Sequence, residues 1–325
     1  MSNIIIPEGW RIPEREVTPE SVYAGRRRFI QTMGLGAMAI GTMACRSAED
    51  RNAQETRLRP EPPSPNADLY PAARNTKYTV DRELTKESVA ASYNNFYEFT
   101  ENKERVKDLV GDFRIRPWEL EITGLVAKPL KLTVDDLVRR LPLEERVYRF
   151  RCVEAWAMTV PWTGIPLAKL LALAEPLSSA KYVRFISFHR PEQAPNQAQA
   201  TWYKWPYYEA MRMDEATNEL TMAVTGIYGH ELPKQHGAPL RIITPWKYGY
   251  KSPKSVVKIE LVEQQPKTFW NDLAPDEYSF LSNVDPTVPH PRWSQATEQL
   301  IGTDARIATR PYNGYGEYVA AMYGG

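Results

Sequence analysis

Proline occurs twenty-seven times in this chain of 325 residues. Each one fixes a backbone angle and removes an amide donor, so helix interiors and central strands tolerate it poorly. Aromatic residues make up 11% of the chain. Together these features predict a loop-rich α+β or mostly β domain rather than a helical bundle. A chain of this length is enough for one large domain or two small ones with a sizeable core.

The N-terminal third of the charge pattern reads as an address rather than as fold. "GRRRFIQ" (25–31) precedes Phe29–Ala44, an uncharged stretch rich in Gly, Ala and Met. Basic residues, a modest apolar run and then small residues describe a secretory signal. The pattern Arg26-Arg27-x-Phe29-Ile30 resembles the twin-arginine type, whose cargo folds before export, often around a cofactor. The expectation is a signal over 1–45, an extended Arg/Pro/Asn/Glu-rich linker over 46–75, a catalytic domain over 76–325, and a periplasmic location. "TMAC" only weakly resembles a lipoprotein site at Cys45. Residues 1–45 hold five basic and four acidic residues, which leaves 41−5=36 basic against 40−4=36 acidic. That balance gives no support for nucleic-acid or anionic-membrane binding.

Along the rest of the chain, "WELEITG" alternates as a strand ending at Gly124. Thr133 with Asp135 and Asp136 marks a capped helix start. "ERVYRF" is a strand delivering the chain to Cys152. "IPLAKLLALAE" is a short helix with Pro166 in its first turn, "KYVRFISF" a strand, and "YYEAMR" a short helix. "LTMAVTGIY", "PLRIITP" and "SVVKIELVE" are further strands. The tail from Pro266 shows few regular signals and no series of strands suggesting a C-terminal immunoglobulin-like domain. The fold class expected is a single α+β domain with a mixed sheet.

The sequence carries no phosphate-binding Gly loop, no HExxH, no CxxC and no GxSxG. The four histidines show no familiar zinc spacing. With Cys45 in the signal, Cys152 is the one cysteine of the folded part, in "YRFRCVEAW". Three readings stand open from the residues alone: a buried structural thiol, a nucleophile activated by a histidine, or a thiolate ligand to a metal completed by a cofactor. In the last two, Arg149 and Arg151 would favour the thiolate.

"YRFRCVEAWAMTVPWTGIPL", with "YNNFYEF", "HGAPLRIITPWKYGYKSPKS" and "HPRWSQATE", resembles the molybdoenzymes of the sulfite oxidase fold. Among them it resembles the catalytic subunits of periplasmic protein-methionine-sulfoxide reductases, from about Ser92 to Glu298. The resemblance implies a molybdopterin-binding domain with molybdenum–molybdopterin in its mononucleotide-free form, and Cys152 as molybdenum ligand. It implies pterin contacts at Asn94, Tyr97 and Glu98. Ser187 sits where the family often has threonine, and His236 where asparagine is expected. Arg241 is implied as a partner of the cofactor phosphate, with Ser252, Pro253 and Lys254 as the adjoining loop.

The implied reaction is oxygen-atom transfer from methionine sulfoxide in oxidised periplasmic proteins, with electrons from a haem-containing membrane subunit. Trp246 or Trp202 is expected to face the substrate. Glu154 and Tyr250 are chemically able to donate protons. Rival readings are a sulfite dehydrogenase-like or other small S-/N-oxide molybdoenzyme, a cysteine hydrolase pairing Cys152 with His189 or His236, and a non-enzymatic binding module.

Overall fold

The computed structural model describes residues 64–324. The expected signal, Cys45 and the first part of the expected linker lie outside the described residues. In chain order the strands are β1 (Glu119–Gly124), β2 (Leu130–Thr133), β3 (Glu144–Arg151), β4 (Trp156–Pro166), β5 (Tyr182–Ser187), β6 (Tyr208–Arg212), β7 (Met222–Ile227), β8 (His230–Glu231), β9 (Arg241–Ile243), β10 (Val256–Val262), β11 (Thr297–Leu300) and β12 (Arg306–Ala308).

These strands build two sheets. One has the order β2-β1-β10-β5-β6, the other β12-β11-β4-β7-β8, with β3 paired to β4 and β9 to β7. Each contains one parallel pair, β1 with β10 and β4 with β11, among antiparallel neighbours. The mixed α+β architecture therefore follows the expectation. The alternation in β1 puts Leu120 and Ile122 inward and its charges outward. At the next turn the Asp136 N–H donates to Thr133 Oγ1 at 3.0 Å, capping the helix Val134–Arg140.

Local readings failed where pairing overrode propensity. Tyr208–Arg212, expected as a helix, is a strand, paired residue for residue with β5. Glu209 on that strand is fully buried and accepts from Lys251 Nζ, a partner that a surface helix would not provide. The helix starts only at Met213. β4, the longest strand, has no counterpart in the sequence reading because Pro161 interrupts it. Pro161 faces Val147 of β3, and its carbonyl accepts the Tyr228 N–H at 3.1 Å. Pro166 stands just before its helix, at the N-cap, rather than in the first turn.

The expected linker also differs over its described part. Asn66 is buried and donates to Asp135 Oδ1 at 2.7 Å, Asp68 pairs with Arg139 at 2.6 Å, and Arg74 pairs with Glu145 at 2.7 Å. Residues 64–75 are thus docked on the domain. At the other end, β11 and β12 extend the sheet of β4, and Tyr315 and Val319 enter the core. The tail belongs to the same body as the rest.

Under "YNNFYEF" lies an aromatic cluster. The Phe96 ring meets Phe99 at 4.8 Å, edge to face, and Phe113 packs on Phe188 at 4.4 Å. Such pairs contribute about 0.5–1.5 kcal/mol each beyond the area they bury. This anchors the segment by its phenylalanines and leaves Asn94, Tyr97 and Glu98 to a cleft wall.

Candidate functional site

Three separated segments, 93–98, 150–158 and 236–254, converge on a cleft with about 890 Å³ of empty space, part of it open to solvent. Asn94, Tyr97, Glu98, Cys152, His236, Arg241, Ser252, Pro253 and Lys254 all line it. Ser187 does not. Its hydroxyl lies behind the wall and donates to the Lys254 carbonyl at 2.7 Å, so it holds the loop that bears Lys254.

Cys152 follows the last residue of β3. The chain turns at Ala155, which takes a left-handed φ of 62°, and returns as β4. The Cys152 N–H donates to the Trp156 carbonyl at 2.9 Å, and the Ala155 N–H to the Cys152 carbonyl at 3.2 Å. This closed turn leaves Sγ on the cleft wall, where it receives Asn95 Nδ2 at 3.2 Å and the Glu154 N–H at 3.4 Å. Burial pushes the thiol up to about 12, and Glu154 adds to the rise.

The arginines beside Cys152 do not reverse that. Arg149 is engaged by Asp81. Arg151 is fully buried, with Nε on Glu298 Oε2 at 2.9 Å and one Nη on the Cys152 carbonyl. They brace the turn rather than face the sulfur, and burial outweighs the pull Arg151 exerts on the thiol. Sγ has Asn95 and Glu154 as its hydrogen-bond partners, and no imidazole. A thiol held protonated by burial, with no imidazole on it, is the opposite of an activated hydrolase nucleophile. His189 is exposed, and the described residues contain no group of three or more His, Cys, Asp or Glu able to hold a metal ion. The described residues therefore offer no complete ligand set for a metal at Cys152.

Opposite the thiol, the cleft is cationic and under-partnered. Arg241 is buried, gives Nη1 to the His236 carbonyl at 2.8 Å and Nη2 to the Ser252 carbonyl at 3.4 Å, and leaves Nε without a partner. It makes no ion pair among the described residues. Its guanidinium lies 5.0 Å from the Trp162 ring and 5.4 Å from Phe150, and burial lowers it to about 9. Lys254 is lowered by burial and by Arg241, with Glu98, itself raised by burial, and Cys152 acting the other way. Gly237 makes this crowding possible. It has a φ of +94°, and a Cβ there would come within 2.5 Å of the Lys254 side chain.

His236 is buried and neutral, held down to about 3 by burial and by the Arg241 charge. Its Nδ1 lies 3.4 Å from Asn94 Nδ2. The amide oxygens of Asn94 and Asn95 are buried without partners. Buried polar atoms are rarely left unsatisfied. Orphaned amide oxygens, an orphaned guanidinium nitrogen and uncompensated positive charge fit one kind of occupant: a large polar ring system with N–H edges and a phosphate. A molybdenum–pterin group has that chemistry, with Cys152 Sγ available to the metal.

The expected aromatic contacts are corrected. Trp246 is fully buried away from the cleft, with Nε1 donating to the Tyr323 hydroxyl at 2.9 Å. Trp202 is 65% exposed and does not line the cleft. The aromatic walls include Tyr93, Trp156, Trp270 and Tyr278 instead. The last two come from the irregular tail, where aromatic density was the only available signal. Of the two proton-donor candidates, Glu154 sits within 3.5 Å of Sγ, with Lys103 at 3.0 Å and Trp156 Nε1 at 3.4 Å. Tyr250 also lines the cleft, but its hydroxyl is taken by Ser282 and pushed up by burial.

Residues 108–270 match the family described as oxidoreductase molybdopterin binding domain. Over 320 residues, 97% of this chain and 95% of that protein, the sequence is 44% identical to the protein-methionine-sulfoxide reductase catalytic subunit MsrP of Xanthomonas axonopodis pv. citri (strain 306). It is 45% identical over 320 residues, 97% of this chain and 93% of that protein, to the same subunit from Burkholderia mallei (strain ATCC 23344). A solved structure, the sulfane dehydrogenase SoxCD from Paracoccus pantotrophus, aligns with a TM-score of 0.41 at 18% identity, covering 59% of this chain and 51% of that one. With a cleft whose unmet donors and acceptors suit a pterin phosphate, and a sequence matched end to end by such relatives, the chain belongs to the molybdopterin-binding oxidoreductases, in the family of protein-methionine-sulfoxide reductase catalytic subunits.

Proposed function

We propose that this chain reduces methionine sulfoxide in exported proteins to methionine, using a mononucleotide-free molybdenum–molybdopterin group, in the periplasm after export by the twin-arginine route. A haem-containing membrane partner supplies the electrons, in keeping with the absence of a haem or iron–sulfur motif in the chain. The observation that carries the reading is the pairing, across one cleft, of a buried single thiol with buried cations that have no carboxylate to neutralise Arg241.

When bound, the group supplies a metal that accepts the sulfoxide oxygen and cycles by two electrons. The protein's residues do the rest. Cys152 would hold the metal as a thiolate, the metal's charge offsetting the cost that burial sets on the anion. Arg241 and Lys254 would neutralise the phosphate, with Ser252 and Pro253 shaping the loop beside it. Ser187 fixes that loop from behind. Asn94, Tyr97, Glu98 and the neutral His236 offer fixed donors and acceptors to the pterin edges.

Reducing R2S=O to R2S requires two electrons and two protons, and the oxygen departs as water. Glu154 is the group beside Sγ able to hand protons inward at its carboxylate oxygens. Tyr93, Trp156, Trp270 and Tyr278 offer ring edges and faces to a sulfur-bearing chain. This side of the cleft carries an acid, Glu154, with Lys103 as its counter-charge. That suits a neutral sulfoxide better than the dianion a sulfite dehydrogenase takes.

The test is molybdenum analysis of the purified protein together with sulfoxide reduction by a chemical electron donor. One molybdenum per chain and turnover of methionine sulfoxide without sulfite oxidation are expected. Cys152→Ser should lose both metal and turnover, with an unchanged far-ultraviolet circular dichroism spectrum. Full turnover in that variant would refute the ligand role.

A further inference from the structure

Beside the cleft, and sharing Val153 and Tyr250 with its wall, lies a second groove with about 1160 Å³ of empty space. Its outer side is built from residues 274–296, which run from the helix Phe269–Leu273 to β11 with no helix or strand of their own. Irregular segments of that length are uncommon in compact domains, and the ordered ones usually serve binding. This one is anchored. The buried Lys247 donates to the Leu281 carbonyl at 2.7 Å and Asn283 Oδ1 at 2.8 Å, and the Val284 N–H reaches the Trp246 carbonyl at 3.0 Å. Trp293 Nε1 and Gln295 Nε2 both donate to the Val153 carbonyl at 2.7 Å. The segment is thus tied to the residue next to Cys152.

The groove's surface mixes apolar and polar side chains and carries acidic ones. Val288 is 61% exposed, and prolines 275, 289, 291 and 311 stiffen the walls. Glu277 is neutralised by Arg292 at 2.7 Å and faces His290 at 3.2 Å. Asp276 is exposed, the Asp285 carboxylate accepts from the Thr287 N–H and hydroxyl, and neither makes an ion pair among the described residues. No lysine or arginine lines the groove.

We propose that this groove holds, as an extended segment, the polypeptide flanking the oxidised methionine, and that Asp276 and Asp285 select substrates with lysine or arginine in that flank. The inference rests on the reading of the neighbouring cleft as a methionine-sulfoxide site. A methionine side chain entering that cleft leaves its backbone at the mouth, and the adjoining residues must run along a surface. The groove borders the cleft, the two sharing Val153 and Tyr250 in their walls. Unpaired carboxylates on a rim raise encounter and selectivity for cationic chains more than they raise raw affinity.

The experiment uses the metal-loaded enzyme, a chemical electron donor, and short peptides bearing one methionine sulfoxide flanked by lysines or by glutamates. Labelled methionine-sulfone versions of the same peptides report binding by fluorescence anisotropy, independently of turnover. The lysine-flanked peptide should show kcat/KM about three- to tenfold higher, with the gap closing as salt rises. The double variant Asp276→Asn/Asp285→Asn should erase the gap in both kcat/KM and sulfone binding, and leave dimethyl sulfoxide turnover unchanged. Two results overturn the proposal while sparing the functional reading. One is a preference, or a lack of one, that the variant does not alter. The other is a variant impaired only when the membrane partner is the donor, which would assign the groove to that partner. Lysine-dependent sulfone binding that the variant abolishes, in an enzyme that reduces no sulfoxide, would sustain the groove and sink the reading of the cleft.

Discussion

An imidazole at position 236 has two ring nitrogens to satisfy and, unlike the amide expected there, a proton to take up. Its folded value of about 3 lies below the ordinary 6.5. As pH falls through 6.5 the unfolded chain binds a proton that the folded chain refuses until about pH 3. The stability tied to this residue is therefore complete above pH 6.5 and lost progressively between 6.5 and 3. Urea unfolding of cofactor-free protein should show His236→Asn losing about 2 kcal/mol less than the parent between pH 7 and pH 5. Equal losses would mean that the ring is not buried neutral. Other residue roles were less legible in the sequence. Cys152 stood open between three readings until the resemblance was weighed. The direction of Arg149 and Arg151 could not be read from adjacency, because alternation along β3 carried both to partners on the far side of the turn.

At the level of elements, the β3–β4 hairpin is the frame of the thiol, and its brace is ionic. Arg151 meets Glu298 at the start of β11 at 2.9 Å, and Arg82 approaches the same carboxylate at 2.7 Å, with Glu298 fully buried. Removing one partner of a buried pair leaves the other charge stranded. Glu298→Gln should cost about 3 kcal/mol in urea unfolding and lower the molybdenum bound per chain, although residue 298 does not line the cleft. Undiminished stability would show that the arginines find other counter-charges. β11 came from a tail with almost no periodic signal, because only two of its residues pair with β4. β4 was hidden by Pro161, and β6 was misread because Glu209, which marks a helix on a surface, is here an interior ion-pair partner. Strands with clean alternation, such as β1 and β5, were plain in the sequence. Strands buried on both faces were plain only where no proline interrupted them.

For the whole molecule, the cleft ties stability to loading. A folded chain without its anion carries the Arg241 guanidinium buried and unpaired, a cost that phosphate would remove. The thermal midpoint of wild type should rise markedly between cofactor-free and loaded protein. In Arg241→Gln the gap should shrink, with the cofactor-free variant at least as stable as cofactor-free wild type. A cofactor-free variant less stable than its parent would mean that the guanidinium already has its counter-charge. The α+β class with mixed pairing was legible in the sequence, the division into two sheets was not, and the cofactor class came from the family resemblance that the motifs carry. The location of the substrate-facing aromatics was not, because Trp270 and Tyr278 reach the cleft from a part of the chain that has no repeating pattern to place it.

The docking of residues 64–75 turns a stretch that reads as a spacer into part of the domain surface. Twelve residues of free polypeptide would give about 40 Å of reach. Clamped through Asn66, Asp68 and Arg74, they give none. The same clamp fixes this edge of the domain beside the helix Val134–Arg140, whose Asp135 and Arg139 hold it.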